Sequence, residues 1–329
     1  MEVEILTRQN IEFKTIPAAG IHGVGLLNLP GNLAQLLKGY LKAGKIIREF
    51  RPDVLFFTGG YLAVPAAFAG RSVPSLVFIP DIEPGLAIRT ISNLAAQIAV
   101  SVEQTRLSVP PGKPVTVSGY PVRSNLQNWT RKKALEALNL QPDIPVLLVF
   151  GGSIGARSIN RAVSRILSEL LLEIQVIHIT GQLDWDEMQT NQERLFAQEK
   201  DRYRMFPFLH EEMGAALRCA DLVVSRSGAS ILGEYPLFEL PAVLVPYPHA
   251  WRYQKTNAKY LADRGAALII ADEDLPDQLL PVIQTIIGDQ ERLTSMRSAM
   301  KALAQPKAAE MIAQQLLSLA TNAKGGKFL

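Results

Sequence analysis

The sequence contains a single cysteine, Cys219, among its 329 residues. One thiol excludes an internal disulfide and any metal site built from several cysteines, and it favours a reducing compartment. The sequence also lacks a large excess of either sign of charge, because 34 Lys and Arg residues are nearly balanced by 31 Asp and Glu residues, for a net charge of +3. A chain whose charges are so nearly balanced gives no sign of nucleic-acid binding, although this balance still allows a local basic face.

Long hydrophobic runs are absent as well. No apolar run reaches the roughly 18 residues that cross a bilayer, and charged residues interrupt the opening MEVEILTRQN where a signal peptide would be apolar. We therefore expect a cytoplasmic protein. What the chain does have is length for about two domains, at ~150 residues each, and enough apolar residues to fill two cores.

Short apolar segments alternate with amphipathic ones, a pattern typical of parallel sheets covered by helices. The predicted strands begin at Asp53, Pro74, Gln97 and Val115 in the first half, and at Val146, Gln175, Asp221, Ala242 and Ala266 in the second. The polar segment between Pro121 and Pro145 is predicted to be a linker with one helix. The fold class is thus α/β with two Rossmann-like domains, at 1–122 and 123–305, and a C-terminal helix, 306–322, is expected to pack back on the first.

A glycine-rich turn follows the predicted strand at Val146–Phe150, where Gly151, Gly152 and Gly155 free the backbone to turn sharply. The amides of Ser153–Ala156 would then begin a helix, and amides at a helix start favour an anion. The local pattern fits either a phosphate site or a tight corner of an α/β protein.

A second glycine turn, SRSGAS, follows the strand that begins at Asp221. The amides of Ala229 and Ser230 could hold a phosphate at the start of the next helix. Glu234 lies one helical turn beyond Ser230, where a carboxylate could accept from both hydroxyls of a ribose. The alternative is a solvated helix glutamate, but its apolar neighbours imply that this carboxylate needs a partner.

Polar side chains that suit a sugar follow in PHAWRYQKTNA, where His249, Arg252, Gln254 and Asn257 surround the start of another helix. Alone, this stretch would be a polar helix start with His249 in an exposed loop. Because it comes after two glycine turns and Glu234 in a matching order, we interpret the first turn as a phosphate site.

Two further segments have open interpretations. DWD, at Asp184–Asp186, could hold a divalent metal, but helix capping explains it well, and we predict no required metal. The segment 30–52 predicts an amphipathic helix, which either faces the core or rests on anionic lipid. Its apolar residues are Leu33, Leu36, Leu37, Tyr40, Leu41 and Ile47, and its basic residues are Lys38, Lys42, Lys45 and Arg48.

Together with GYPVR (119–123), TGGY (58–61) and PGLA (84–87), these motifs resemble the MurG-type glycosyltransferases, in order and over nearly the whole chain. Members transfer N-acetylglucosamine from its UDP conjugate to undecaprenyl-pyrophosphoryl-muramyl-pentapeptide in peptidoglycan synthesis, converting lipid I to lipid II with inversion. The resemblance implies a GT-B architecture, with 1–122 facing the acceptor and an anionic membrane and 123–305 binding the donor nucleotide. It implies a peripheral location on the inner face of the cell membrane, with no cofactor and no nucleic-acid partner.

Carried over by motif, the resemblance assigns roles to individual residues. Ser153 would touch the donor phosphate, Glu234 the ribose and Gln254 the donor sugar, while the backbone near Leu209 and His210 would meet the uracil. The full donor-binding set is Ser153, Arg123, Ala229, Ser230, Glu234, Gln254, Leu209, His210 and Asp81.

The sequence departs from the family at two places. The family's His-bearing GGTGGH loop is not found, and His22 belongs to a later segment, so the catalytic base is unassigned. We expect a native start upstream of Met1, with a separately encoded partner as the alternative. Where the family has HEQN, this chain has Phe78–Asp81, which puts Asp81 in place of an asparagine that meets the donor sugar. A nucleotide-sugar-binding subunit and a related lipid glycosyltransferase therefore stay open as alternative functions.

Overall fold

The computed structural model describes residues 6–7, 10–18, 29–152, 155–249 and 253–325. Within these ranges the chain forms two parallel sheets, each wound with helices, and no helix there has the length and apolar character that crossing a bilayer requires. The predicted α/β class is confirmed.

The first unit holds a four-stranded parallel sheet in the order β1-β2-β3-β4. Its elements are α1 (Leu29–Phe50), β1 (Leu55–Phe57), α2 (Ala63–Ala69), β2 (Ser75–Ile79), α3 (Leu86–Leu94), β3 (Gln97–Val100) and β4 (Val115–Val117). A 3₁₀ turn, Glu103–Ser108, joins β3 to β4. Strand β2 is buried along its whole length, as expected for a parallel strand covered on both faces.

The second unit holds a six-stranded parallel sheet in the order β10-β9-β8-β5-β6-β7. A 3₁₀ turn, Ser124–Asn128, and helix α4 (Arg131–Ala137) lead into it. Its further elements are β5 (Val146–Phe150), α5 (Arg157–Glu173), β6 (Gln175–Ile179), α6 (Trp185–Glu193), α7 (Ala197–Lys200), β7 (Tyr203–Phe206), α8 (Met213–Cys219), β8 (Leu222–Ser225), α9 (Ile231–Phe238), β9 (Ala242–Leu244), α10 (Tyr253–Ala262), β10 (Ala267–Ile269), α11 (Leu275–Gly288) and α12 (Gln290–Lys301).

Strand β5 shows why this sheet forms. Leu147 and Val149 pack into the core on one face, whereas Val146 and Leu148 pack into the core on the other. A strand that is buried on both sides must be a continuous apolar run, which is what the sequence provides. Every predicted strand is present, but β7 was not predicted.

The position of β5 also places the site. The strands that follow β5 in sequence lie on one side of it, as β6 and β7, while β8, β9 and β10 lie on the other. The strand order therefore reverses between β5 and β8. In open parallel sheets, ligands bind at such a reversal, beyond the carboxyl ends of the strands.

The last helix, α13 (Ala308–Gly325), returns to the first unit. Ile312 and Leu319 pack in one apolar cluster with Leu76 and Phe78 of β2 and Ala99 of β3. The chain thus crosses between the units twice within the described residues, once before the second sheet and once after it.

Candidate active site

Both glycine turns line one pocket of about 690 Å³ beyond the ends of β5 and β8. Gly152 and Gly155 come from the first turn, Gly228 and Ser230 from the second, and Gln254 from the start of α10. The fold thus brings together segments that are about a hundred residues apart in the sequence. Ser153 and Arg252 lie outside the described residues, as do His22 and most of the apolar stretch before α1.

The first turn is built in a way that requires glycine. Gly152 and Gly155 both have φ of +90°, in the left-handed region, and the Gly155 amide donates to the Gly152 carbonyl at 3.1 Å. A Cβ on Gly155 would lie 2.4 Å from the Thr180 carbonyl oxygen, and one on Gly151 would lie 2.2 Å from the Ala156 nitrogen. Ala156, the residue before α5, has no side-chain cap, so the turn presents backbone amides at the start of a long helix.

The second turn leads into α9. Ser230 precedes the first helical residue, Ala229 precedes Ser230, and the Glu234 amide donates to the Ser230 carbonyl at 2.8 Å. The Glu234 side chain is half-buried behind this turn, so it is not the solvated helix glutamate of the alternative interpretation. Burial raises the pKa of the Glu234 carboxyl, and the hydrogen bond with Ser230 and the charge of Arg123 partly oppose that rise.

Gln254 ties the second turn to the loop after β9. Its side-chain oxygen accepts from the Tyr247 amide at 2.9 Å and from the Ser227 amide at 3.3 Å. The Ser227 hydroxyl donates in turn to the Gln254 carbonyl at 2.8 Å. Since the oxygen of the Gln254 side chain accepts two backbone amides, its nitrogen is the end that can donate to a ligand.

Asp81 lies at the junction of the two units. Its carboxylate accepts from Asn257 Nδ2 at 2.9 Å, and Asn257 Nδ2 also approaches the Ser227 carbonyl at 3.2 Å. The Asn257 side-chain oxygen accepts from the Ile82 amide at 3.3 Å. Burial raises the pKa of Asp81, and the bond from Asn257 opposes the shift. The residue that departs from the family pattern is thus joined through one buried amide to the second glycine turn.

Other expected donor residues lie farther from the pocket. Leu209 follows β7 and packs into the core, while His210 is exposed, with its ring 4.8 Å from that of Phe208. Arg123 is exposed at the start of the 3₁₀ turn before α4 and contributes positive charge near Glu234 and Tyr120. None of Leu209, His210, Arg123 and Asp81 is among the described residues that line the glycine pocket.

The structure adds a charged cluster that sequence reasoning missed. The Arg226 guanidinium pairs with Asp272 and donates to the Ser158 hydroxyl at 2.8 Å and the Val245 carbonyl at 3.1 Å. It also lies 5.2 Å from the centre of the Tyr247 ring. Arg226 belongs to the SRSG motif and could have been singled out, but the sequence around Asp272 carries no signal of this pairing.

The capping role expected for DWD is wrong. Asp184 makes no capping bond to α6; it is buried and accepts from Arg157 Nε at 2.7 Å and from Asn160 Nδ2 at 2.9 Å. Asp186 is exposed. Nowhere in the described ranges do three His, Cys, Asp or Glu side chains gather closely enough to hold a metal ion.

The amphipathic helix α1 is not a fully core-facing helix. Leu33, Leu37 and Leu41 are each about 60% exposed, and Leu33 and Leu37 line a shallow apolar groove of about 730 Å³ that Val64 and Phe68 of α2 complete. Its buried contacts are made instead by smaller residues, such as Ala43. An ordinary core-facing helix would bury its leucines, so this surface needs another explanation.

Comparison with known proteins shows which enzymes this chain is similar to. The sequence profile of the glycosyltransferase family 28 C-terminal domain matches residues 146–315, and that of the family 28 N-terminal domain matches residues 1–100. The UDP-N-acetylglucosamine--N-acetylmuramyl-(pentapeptide) pyrophosphoryl-undecaprenol N-acetylglucosamine transferase of Roseiflexus sp. is 36% identical, over 97% of this chain and 81% of its own length. The enzyme of the same name from Desulforamulus reducens is 34% identical, over 94% and 85%. A crystal structure of Acinetobacter baumannii MurG matches with a TM-score of 0.74 at 27% identity, over 97% of this chain and 88% of that one.

Proposed function

The chain belongs to the family 28 glycosyltransferases of the MurG type, and from this premise we propose how its pocket serves the transfer of N-acetylglucosamine. The fold is that of a GT-B glycosyltransferase, with two parallel-sheet units. The enzyme is a hexosyltransferase that takes N-acetylglucosamine from UDP-N-acetylglucosamine and delivers it to the lipid-linked muramyl-pentapeptide, as the name of its relatives states.

In this proposal the glycine pocket binds the donor nucleotide. The diphosphate lies between the two glycine turns, Glu234 accepts from the ribose hydroxyls, and the Gln254 amide nitrogen donates to the sugar. The observation that carries the proposal is the convergence of both turns on one pocket at the strand reversal. Arg123, Leu209, His210 and Asp81 would reach the donor from the pocket's surroundings.

The two units would divide the substrates. We assign residues 1–122 to the acceptor and residues 123–305 to the donor, with the C-terminal helix belonging to the first unit. Apolar contacts of Ile312 and Leu319 with β2 and β3 support the last assignment. The bonds of Asn257 to Asp81 and Ile82 would hold the acceptor side against the second glycine turn.

The chemistry would be a direct displacement with inversion at the anomeric carbon. As the acceptor hydroxyl attacks the anomeric carbon, it gives its proton to a general base, whose identity the sequence leaves unassigned, the bond from that carbon to the diphosphate breaks, and UDP leaves with the negative charge. The amides at the starts of α5 and α9 would face the place where this charge develops, which is the kind of preorganised stabilisation that lowers a barrier without a metal.

Calorimetry of nucleotide binding tests the donor site. We expect saturable binding of UDP, competition by UDP-N-acetylglucosamine, and weaker binding of uridine, which lacks the diphosphate. EDTA should leave the affinity for UDP unchanged, because amides and helix starts take the place of a cation. Binding of ADP as tightly as UDP would contradict a uridine-specific pocket.

We further propose that the exposed face of α1 rests on the inner surface of the cell membrane. Leu33, Leu37 and Leu41 would enter the lipid, while Lys38 and Lys42, which are exposed beside them, would meet anionic headgroups. A lipid-linked acceptor has to be reached at such a surface. The apolar groove next to this face offers the lipid chain a place to lie.

Vesicle binding tests this membrane face. Replacing Leu37 and Leu41 together with serine should lower binding to phosphatidylglycerol vesicles about a hundredfold or more, since each buried leucine contributes roughly 1.5–3 kcal/mol. Leu172→Ser is the matched control, because Leu172 is 74% exposed on α5 of the other unit. If the double variant bound vesicles as strongly as the wild-type protein does, the assignment would be refuted.

A further inference from the structure

One arginine of the pocket is held by a buried network and still has donors to offer. Arg157 is the first residue of α5, it lines the pocket, and its Nε donates to Asp184 Oδ1 at 2.7 Å. Its side chain is 60% exposed, and its two terminal nitrogens make no hydrogen bond to any residue that the structure describes. The side chain of Arg226, the other arginine of the pocket, is only 10% exposed, and its guanidinium donates its hydrogen bonds to protein groups.

Asp184 fixes the direction of the Arg157 side chain. The carboxylate is 4% exposed, and its second oxygen accepts from Asn160 Nδ2 at 2.9 Å. A buried carboxylate that lacked its cation would be costly, so Arg157 and Asp184 hold each other in place. Because only Nε is engaged, the far edge of the guanidinium is left directed away from Asp184.

The network continues inward through fixed hydrogen-bond directions. Asn160 Nδ2 donates to both Thr180 and Asp184, so its Oδ1 is an acceptor, and His178 Nε2 at 3.0 Å must carry the proton. Burial lowers the pKa of His178 to about 3, so the ring is neutral and its Nδ1 accepts from the Tyr203 hydroxyl at 2.8 Å. The donor and the acceptor of each hydrogen bond in this series are thus fixed, and the series ends at Arg157.

We propose that Arg157 binds the diphosphate of the donor and that Asp184 is the positioning residue that holds its guanidinium at the pocket. The inference rests on the donor site proposed above and adds to it a cation that stabilises the negative charge as it develops on the leaving group. Backbone amides supply only partial charges, whereas guanidinium and phosphate form charge-assisted bonds that are about twice as strong as neutral ones.

A double-mutant cycle with Arg157→Gln and Asp184→Asn tests the proposal, with UDP and uridine as probes in calorimetry. Arg157→Gln should weaken UDP binding about tenfold and leave uridine binding unchanged, because the lost bonds are made to phosphate. Asp184→Asn should weaken UDP binding in the Arg157 background and have no further effect in the Arg157→Gln background. Measuring at about 1 M salt as well screens the change in net charge.

The chain supplies a matched control pair one helical turn away. Arg161 Nε pairs with Glu187 at 2.8 Å on the outer side of α5 and α6 and does not line the pocket. Arg161→Gln and Glu187→Gln should leave the ratio of UDP to uridine affinity unchanged.

The outcomes separate the possibilities. An equal loss from Asp184→Asn in both backgrounds would make Asp184 a structural residue and overturn its positioning role. An unchanged ratio of UDP to uridine affinity in Arg157→Gln would overturn the role of Arg157. If the unchanged protein bound no UDP at all, the proposed donor site itself would fall, and this inference with it.

Discussion

Replacing Glu234 with glutamine is expected to weaken UDP binding about thirtyfold, because hydrogen bonds to a charged group contribute roughly 1.5–3 kcal/mol. Glu234 lies one helical turn beyond Ser230, half-buried behind the second glycine turn. A ribose whose phosphates occupy that turn would place both hydroxyls against the carboxylate. Glutamine keeps the size of the side chain but offers one acceptor oxygen and no charge.

The sugar of the nucleotide makes this prediction specific. The unchanged protein should prefer UDP to 2′-deoxy-UDP, and Glu234→Gln should lose most of that preference. Glu239→Gln is the control, since Glu239 follows the same helix and pairs with Lys301 at 2.8 Å on the surface. If Glu234→Gln kept the same preference for UDP over 2′-deoxy-UDP as Glu239→Gln, the ribose assignment would be wrong.

The pH dependence of UDP binding follows from the same carboxylate. Burial raises the pKa of Glu234, so the group takes up a proton at a higher pH than an exposed glutamate. Since the ionised form is the better acceptor for two hydroxyls, UDP binding should weaken as the pH falls through that raised pKa. Glu234→Gln should remove this part of the pH dependence.

Replacing Gly155 with alanine is expected to destabilise the second unit more than the same change at Gly152. Both residues have φ of +90°, so each alanine carries a backbone strain of about 1–2 kcal/mol. A Cβ on Gly155 would also lie 2.4 Å from the Thr180 carbonyl oxygen, whereas a Cβ on Gly152 would meet nothing within 4 Å. The collision should add about 1–3 kcal/mol, as in other overpacked sites.

Urea unfolding of the two glycine variants measures this difference without involving the ligand. We expect Gly155→Ala to lower the free energy of unfolding by about 2–5 kcal/mol and Gly152→Ala by about 1–2 kcal/mol. Equal losses would mean that the strand-to-helix turn can shift away from Thr180, and the turn would then not be the rigid phosphate site that the proposal needs.

Most of the sheet could be predicted from the sequence because parallel strands that are buried on both faces are continuous apolar runs. Strand β5 is such a run, and its predicted and observed bounds agree. Strand β7, Tyr203–Phe206, could not be found this way, because it is only partly buried and its apolar run is interrupted by Arg204.

The side-chain pairs of the site were harder to predict than the turns. Glycine turns are local, so their positions follow from the sequence. Asp184 meets Arg157 across 27 residues, and Asp272 meets Arg226 across 46, so these pairs depend on how whole elements pack. The same holds for α1: its periodicity allowed a core-facing helix or a membrane-facing one, and the exposure of its leucines depends on how the helix packs against other elements.

The most direct test of the central claim is transfer itself. The protein would be incubated with labelled UDP-N-acetylglucosamine and the undecaprenyl-pyrophosphoryl-muramyl-pentapeptide in vesicles, and label in the lipid fraction would be measured together with released UDP. We predict equal amounts of labelled disaccharide lipid and UDP, with the β configuration at the new bond. Binding of the donor without any transfer to the lipid would contradict the account and would favour a nucleotide-sugar-binding subunit instead.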